Sequence, residues 1–128
     1  MKNAQKMVKK FAKARDWDKQ MPDHVAKSVS IEAGELLEHF QWSNPTAEEI
    51  KKNPEKLAEL ASELADVFIY CLHMANLLDF DAGEIVKHKL EIAAKKYPAE
   101  LMRKRTPDEP DAHERYLKIK KEYRQKHG

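Results

Sequence analysis

The 128-residue sequence contains a single cysteine, Cys71, so an intramolecular disulfide is excluded. A lone cysteine fits a protein of the reducing cytoplasm. Long hydrophobic runs are also lacking, because the longest apolar stretch, residues 67–72, is far shorter than the roughly 20 residues that a membrane span needs. The lysine-rich start has no apolar segment of the kind found in signal peptides. We therefore expect a cytoplasmic protein that does not bind a membrane.

Glycine and net charge are both low. The chain has only three glycines and a formal net charge of +2, while 36% of its residues are charged and 41% are apolar. A net charge this small gives no reason to expect a nucleic-acid partner. The composition is typical of a highly charged helical domain, and the apolar residues show no strand-like alternation. The sequence therefore predicts an all-α protein with the length of one domain.

Apolar residues at helical spacing, interrupted by turn signals, predict a bundle of four to six helices. Asp23 is expected to cap the second helix, and Thr46, followed by Glu49, the third. The longest helix should be central, and either buried on several sides or used at a subunit interface, because its apolar residues cover more than one stripe. Residues 1–103 would form the main helical domain, and residues 104–128 would add a linker and an amphipathic helix to the same domain. The predicted helices span residues 2–15, 23–42, 47–52, 55–78, 82–97 and 112–126.

Two pairs of acids lie beside apolar helical stripes, each pair spaced three residues apart. Glu32 and Glu35 are about 60° apart around their helix, and Glu63 and Asp66 repeat this spacing on the longest helix. Two carboxylates this close repel, at a cost that grows from about 1 toward 4 kcal/mol at about 4 Å as water is withdrawn. Two such helices facing each other would form an all-oxygen pocket that suits Mg²⁺. Either pair alone is more commonly a solvated helix face.

Other candidate residues have a structural interpretation beside the functional one. Trp17 and Trp42 could anchor a core or an interface, and Tyr70 could line the pocket or the core. Glu38 could accept a proton from water or face solvent. Cys71 lies on the apolar side of its helix and is expected to be buried.

The histidines are not predicted to bind a metal. We expect His39 and His73 to be structural or exposed. The sequence contains no Glu-x-x-His pair, which counts against a ferritin-like di-iron site, the main metal alternative for a bundle lined with carboxylates.

These motifs resemble the MazG-like all-α nucleoside triphosphate pyrophosphohydrolases, and in particular their dCTP-pyrophosphatase-like branch. The two acid pairs carry the resemblance together with three flanking pieces in the same order. Either pair alone is a weak motif, but the whole set is specific. It covers roughly residues 11–98 and leaves the C-terminal part unassigned. The flanking pieces are Phe11-x-x-x-Arg15-Asp16-Trp17, Phe40-Gln41-Trp42, and Lys89 with Lys95-Lys96-Tyr97-Pro98.

The resemblance implies Mg²⁺-dependent hydrolysis of a nucleoside triphosphate to the monophosphate and pyrophosphate, with Mn²⁺ as a substitute metal. It also implies a homodimer or a homotetramer. Glu35 and Glu38 are the predicted catalytic carboxylates. The implied metal ligands are Glu32, Glu35, Glu63 and Asp66. The implied substrate-binding residues are Trp17, Trp42, Tyr70, Lys89 and Lys96.

The chain departs from this branch near the expected nucleotide site. Asp23 stands where the family pattern ahead of the acid helix has a basic residue, and Ala93 stands where it has asparagine. Lys27, one helical turn after Asp23, could replace the missing positive charge. The resemblance to the branch still implies dCTP or a modified pyrimidine deoxynucleotide as the preferred substrate. The alternatives are dUTP or phosphoribosyl-ATP, or a non-catalytic bundle that the metal stabilises.

Overall fold

A computed structural model describes residues 1–103 and 112–127. These residues form seven α-helices and no β-strand, so the predicted all-α fold is confirmed, with one helix more than the expected maximum. The chain divides into two units, Met1–Gly83 and Glu84–Gly128. The predicted linker at residues 104–111 lies outside the described residues, and the predicted domain division stays a prediction. None of the described helices is both long and apolar enough to cross a membrane.

The first helix, α1, spans Lys2–Lys13 and ends two residues before its predicted end. In the turn that follows, Asp16 has a φ of 57°, a left-handed conformation that stops a right-handed helix. The backbone N–H of Trp17 then donates to the carbonyl of Ala12 at 2.9 Å. This bond closes the end of α1 and starts the segment that leads to the second helix.

The second helix, α2, spans Pro22–Glu38, and the predicted cap at Asp23 is wrong. Met21 occupies the N-cap position and Pro22 the first helical position. Proline fits there because its missing N–H would have no intrahelical partner. Asp23 instead lies in the first turn, where its carboxylate pairs with the ammonium of Lys27 at 3.3 Å.

The end of α2 at Glu38 also comes earlier than the predicted residue 41 or 42. The backbone N–H groups of His39, Phe40 and Gln41 donate to carbonyls three residues earlier, at 3.3, 2.9 and 3.3 Å. Such bonds tighten the last turn of an α-helix. The apolar Phe40 and Trp42 had extended the predicted helix, but Trp42 lies beyond its end.

Side-chain caps fix the starts of the next two helices, α3 (Ala47–Lys51) and α4 (Pro54–Leu77). Thr46 Oγ1 accepts the backbone N–H of Glu49 at 3.2 Å, which confirms the predicted cap. Asn53 caps α4 in the same way at 3.1 Å. Both helices lie within one residue of their predicted bounds, because caps are local signals that a sequence states directly.

Helix α4 is central in the first unit, as predicted, and contacts α1, α2 and α3. Helix α2 runs antiparallel to it. Gln20, just before α2, bonds to His73 near the end of α4 at 2.9 Å. At the opposite end, His39 lies beside Glu59 and Glu63 in the first half of α4. Side chains on the facing sides of α2 and α4 are therefore brought together along their length.

The buried core of this unit is small. Leu72, Ala75 and Ala82 form one buried cluster, and Val8 of α1 packs against it. Gln5 fastens α1 nearby, because its side chain donates to the Phe80 carbonyl at 2.7 Å and accepts the Ala82 N–H at 3.0 Å. Among the described residues, the buried apolar side chains are Ala12, Val25, Leu72, Ala75 and Ala82, and the polar His73 is also buried.

One apolar side of α4 is left uncovered by the residues that the structure describes. Cys71 is exposed, so its predicted burial is wrong. The reason is that α1 and α2 cover only part of the broad apolar surface of α4, and Phe68 stays 50% exposed. This side continues into a groove between α1 and α4, which we call the α1–α4 groove. It is lined by Ala4, Met7, Val8, Phe11, Ala65, Phe68, Ile69 and Leu72.

In the second unit, the residue that follows α5 (Ala82–Lys96) packs its aromatic ring against α7 (Ala112–His127). Tyr97 stacks on Tyr116 with ring centroids 4.9 Å apart. Between them lies a single-turn helix, α6 (Ala99–Met102), which the sequence did not predict. One turn after a proline shows no apolar periodicity, so pattern reasoning has nothing to detect.

Candidate metal centre

Four carboxylates meet where α2 faces α4. Glu32 and Glu35 come from α2, and Glu63 and Asp66 come from α4. Each pair lies on one side of its helix because of its three-residue spacing. One oxygen from each of the four side chains lies within 4.8 Å of all the others. The convergence that the spacing predicted is therefore present.

The cluster has unmet hydrogen-bonding capacity. Glu32 Oε2 and Glu63 Oε2 are buried, and neither has a hydrogen-bond partner among the described residues. A buried carboxylate oxygen without a partner is costly, because it has lost its water and gained nothing in exchange. Binding of a proton or a cation to these oxygens would therefore remove this cost.

The charge state of Glu32 reflects the same crowding. Its pKa is raised, first because its protonated form shares a hydrogen bond with Glu35, and then because burial disfavours its charged form. The charges of Glu35, Asp66 and Glu63 raise it further. Without a cation, Glu32 therefore loses its proton at a higher pH than an ordinary glutamate does.

The donor set fits a hard divalent cation. All four ligands are carboxylates, and oxygen-only sets of this kind suit Mg²⁺ and Mn²⁺ rather than softer metals. A cation would also satisfy the buried oxygens of Glu32 and Glu63. The residues present therefore fit the metal that the sequence predicts.

His39 borders the cluster and connects it to two further side chains, Lys56 and Glu59, and the sequence analysis predicted a functional role for none of the three. His39 Nε2 lies 3.8 Å from Glu63 Oε1, and its Nδ1 lies 2.8 Å from the ammonium of Lys56. Glu59 is 3.9 Å from both His39 and Lys56. Spacing could have found His39, since it follows Glu35 by four residues and so shares its side of the helix.

The structure does not bring Glu38 or Lys27 into the four-carboxylate group. Glu38 is the last residue of α2 and is exposed. Lys27 is exposed and pairs with Asp23. The charge of Lys27 is therefore paired with Asp23, the acid that stands where the family pattern has a basic residue.

The aromatic candidates differ in exposure. Trp42 is 89% exposed beyond the end of α2. Trp17 is 46% exposed and makes an edge contact with Phe11, with ring centroids 5.8 Å apart. Tyr70 is half-buried one turn after Asp66 on α4. Both tryptophans therefore keep ring surface that a nucleotide base could cover.

Lys89 and Lys96 lie on α5, in the second unit. Lys89 is exposed. The ammonium of Lys96 lies 4.0 Å from the ring centroid of Tyr123 and 5.1 Å from that of Tyr97. Lys96 therefore makes cation–π contacts inside its own unit.

Comparison with known proteins places these features in a family. The model of the MazG-like family matches residues 27–106. The chain is 31% identical over 105 residues to dCTP pyrophosphatase 1 of Mus musculus and equally to that of Homo sapiens. Each match covers 80% of this chain but 62% of the mammalian protein, so the chain spans about three-fifths of the length of these relatives.

A solved structure gives the same result. The chain is similar to a pyrophosphatase from Archaeoglobus fulgidus, with a TM-score of 0.63 and 36% sequence identity. The match covers 73% of this chain and 87% of the archaeal one. These comparisons confirm the predicted family and its dCTP-pyrophosphatase-like branch. The chain belongs to the MazG-like family.

Proposed function

We propose that this protein is a metal-dependent nucleoside triphosphate pyrophosphohydrolase that converts a (d)NTP to the monophosphate and pyrophosphate. Membership of the MazG-like family supports the class of reaction. The names of the mammalian and archaeal relatives, dCTP pyrophosphatase 1 and pyrophosphatase, support it further. The observation that carries the proposal is the group of four carboxylates within 4.8 Å, two of which have a buried oxygen without a partner.

The proposed cofactor is Mg²⁺, with Mn²⁺ as a substitute. A bound divalent cation would neutralise phosphate oxygens and increase the acidity of a water molecule. Its ligands would be Glu32, Glu35, Glu63 and Asp66. Because these side chains project from two packed helices, the ligand set is held before substrate arrives, as phosphoryl transfer requires.

The chemistry needs a base as well as a charge. Water adds to the α-phosphorus, the bond from that phosphorus to the bridging oxygen breaks, and pyrophosphate leaves. A carboxylate must accept the proton that water loses. We assign this role to Glu35, inside the cluster, or to Glu38, which is exposed one turn further along α2.

Substrate selection would depend on the exposed aromatic rings and on lysines. Stacking of a base on Trp42 or Trp17 would contribute roughly 1–3 kcal/mol each. Tyr70 would line the pocket beside Asp66. Lys27, Lys89 and Lys96 are the candidates for phosphate contacts. The preferred substrate is dCTP or a modified pyrimidine deoxynucleotide, as the names of the mammalian relatives suggest.

Two alternatives remain testable. One is the same chemistry on dUTP or phosphoribosyl-ATP, which stays open because Asp23 and Ala93 depart from the family pattern near the expected nucleotide site. The other is a bundle that binds a metal for stability without turnover. We also propose a cytoplasmic homodimer or homotetramer, which the exposed apolar side of α4 supports.

Turnover on a substrate panel tests these proposals directly. The protein is incubated with Mg²⁺ and dCTP, 5-methyl-dCTP, dUTP or phosphoribosyl-ATP, and the monophosphate and pyrophosphate are quantified. We expect the highest kcat/KM on a cytidine nucleotide and no turnover with excess chelator. Mg²⁺ binding without turnover on any substrate would support the structural alternative instead.

Asp66→Asn separates catalysis from stability. We expect this variant to lose turnover, because it removes a metal ligand. Its metal-free form should be no less stable than the metal-free parent, because like-charge repulsion is relieved. Mg²⁺ at about 100 times its Kd should stabilise the parent by about 2.7 kcal/mol and the variant much less. Thermal unfolding with and without Mg²⁺ measures both effects, and a metal-free variant that unfolds would show that Asp66 is structural.

A further inference from the structure

We infer that His39 is a positioning residue for Glu63, one of the proposed metal ligands. The inference rests on the proposed function, because it assigns the residue that holds one ligand of the metal centre in place. It concerns an imidazole that lies outside the four-carboxylate group but in contact with it.

The tautomer of His39 follows from its contact with Lys56. A lysine ammonium can only donate hydrogen bonds. Because Lys56 Nζ lies 2.8 Å from His39 Nδ1, that nitrogen is the acceptor. The hydrogen of the neutral ring is therefore on Nε2, the nitrogen that lies 3.8 Å from Glu63 Oε1. This distance is longer than a hydrogen bond but short enough for electrostatic attraction.

The two oxygens of Glu63 thus have different surroundings. Oε1 faces the N–H of His39, whereas Oε2 is buried with no partner in the part of the chain that the structure describes. Attraction of Oε1 toward His39 orients the carboxylate so that Oε2 is left to bind a cation. A polar partner behind a metal ligand commonly has this effect.

His39 also controls where the charge of Lys56 lies. The imidazole is 17% exposed, and Lys56 is held between it and Glu59, whose Oε2 is 3.9 Å from the ammonium. Without the ring, the ammonium could pair directly with Glu63. Such a pair would compete with the cation for the carboxylate.

The test is His39→Leu, a substitution of similar size that removes both ring nitrogens. Binding of Mn²⁺, and separately of Mg²⁺, is measured by titration calorimetry on the whole chain without nucleotide. We expect the Kd to rise about 10-fold, the lower end of the 10- to 100-fold loss that follows removal of a hydrogen-bonded partner of a metal ligand, because this contact is longer than a hydrogen bond. His39→Gln keeps one donor and one acceptor, so it should recover most of the affinity.

Turnover gives a second readout. The metal concentration that gives half-maximal rate should rise in the same proportion in His39→Leu, while kcat at saturating metal changes little. His24→Leu is the matched control, because it makes the same substitution at an exposed histidine near the start of α2. The control should leave both values unchanged.

The outcomes are distinct. A Kd within twofold of the parent in His39→Leu would overturn the inference, as would a Gln variant that binds as weakly as the Leu variant. If His39→Leu does not fold, His39→Asn replaces it, since this polar side chain is too short to contact Lys56 and Glu63 together. A parent protein that binds neither Mn²⁺ nor Mg²⁺ would instead contradict the proposed metal centre itself.

Discussion

The fold shifts the pKa values of two buried or half-buried side chains, Glu32 and His73, so that each favours its neutral form. The pKa of Glu32 is raised, first by its hydrogen bond with Glu35 and then by burial and by neighbouring acids. The pKa of His73 is lowered, chiefly by burial, although a backbone bond at Trp17 and the charge of Asp18 partly oppose this. Both shifts favour the neutral form, but they make stability depend on pH in opposite directions.

Glu32→Gln should flatten the acidic part of the stability profile of the metal-free protein. Because the pKa of Glu32 is above its ordinary value of 4.5 in the folded state, the folded state holds a proton that the unfolded state has lost. Stability is therefore lost as pH rises from 4.5 through the raised pKa. The variant should lack this loss and be at least as stable as the parent at pH 7.

Melting temperature measured against pH in excess chelator checks this prediction. Glu91→Gln, at an exposed position on α5, is the control and should keep the slope of the parent. A Glu32→Gln variant that is less stable than the parent at pH 7 would mean that the carboxylate makes a stabilising contact, contrary to the crowding described above.

At the residue scale, the sequence predicted the residues whose positions follow from spacing along one helix. It missed features that depend on contacts between helices. The four acids are separated by three residues within each pair, so helix geometry alone brought them to one side of each helix. Their meeting across two helices depended on the additional assumption that α2 faces α4. The predicted burial of Cys71 was wrong, and the contact of His39 with Glu63 was not predicted, because burial and contact depend on which neighbours cover a helix. A single sequence does not state this.

Helix boundaries show the same division at the scale of elements. Where a side chain caps the helix, as Thr46 does, the predicted start is correct, because the signal lies in neighbouring residues. Where apolar residues continue past the end of a helix, as at Phe40 and Trp42, periodicity extends the prediction too far. The predicted start of α2 was wrong because the capping preference of Asp23 was given more weight than the preference of proline for the first helical position.

The segment between α1 and α2 is anchored to α4 through His73, which leads to a prediction at this scale. Gln20 bonds to His73 Nε2 at 2.9 Å, and His73 is 5% exposed. Because burial lowers its pKa below the ordinary 6.5, the unfolded state takes up a proton before the folded state does. Stability should therefore fall as pH falls from 6.5 through the lowered pKa.

His73→Gln should remove this dependence, because its amide does not titrate. We expect the variant to be less stable than the parent at pH 8, owing to the altered buried contact, but to lose less stability between pH 8 and pH 5. Chemical denaturation at several pH values provides the free energies. His88→Gln, at an exposed position, should keep the profile of the parent, and an unchanged slope in His73→Gln would contradict the prediction.

For the whole molecule, the apolar surface of α4 is larger than residues 1–103 and 112–127 cover. Leu64, Phe68 and Ile69 are each at least 42% exposed, and the α1–α4 groove beside them is almost entirely apolar. Exposed apolar surface of this extent is typical of a protein–protein interface. A second copy of the chain would bury it, which agrees with the proposed homodimer or homotetramer.

Phe68→Gln should weaken that assembly. Fully burying a phenylalanine contributes roughly 1.5–3 kcal/mol, and about half of the Phe68 side chain is left to bury. A twofold-symmetric dimer buries the residue twice, so the Kd for dissociation should rise about 10- to 100-fold. Sedimentation velocity across a range of concentrations measures this change. Leu117→Gln, which alters an equally exposed apolar residue on α7, should leave the assembly unchanged. If the parent sediments as a monomer at every concentration, or if both variants dissociate alike, the exposed side of α4 is not the interface.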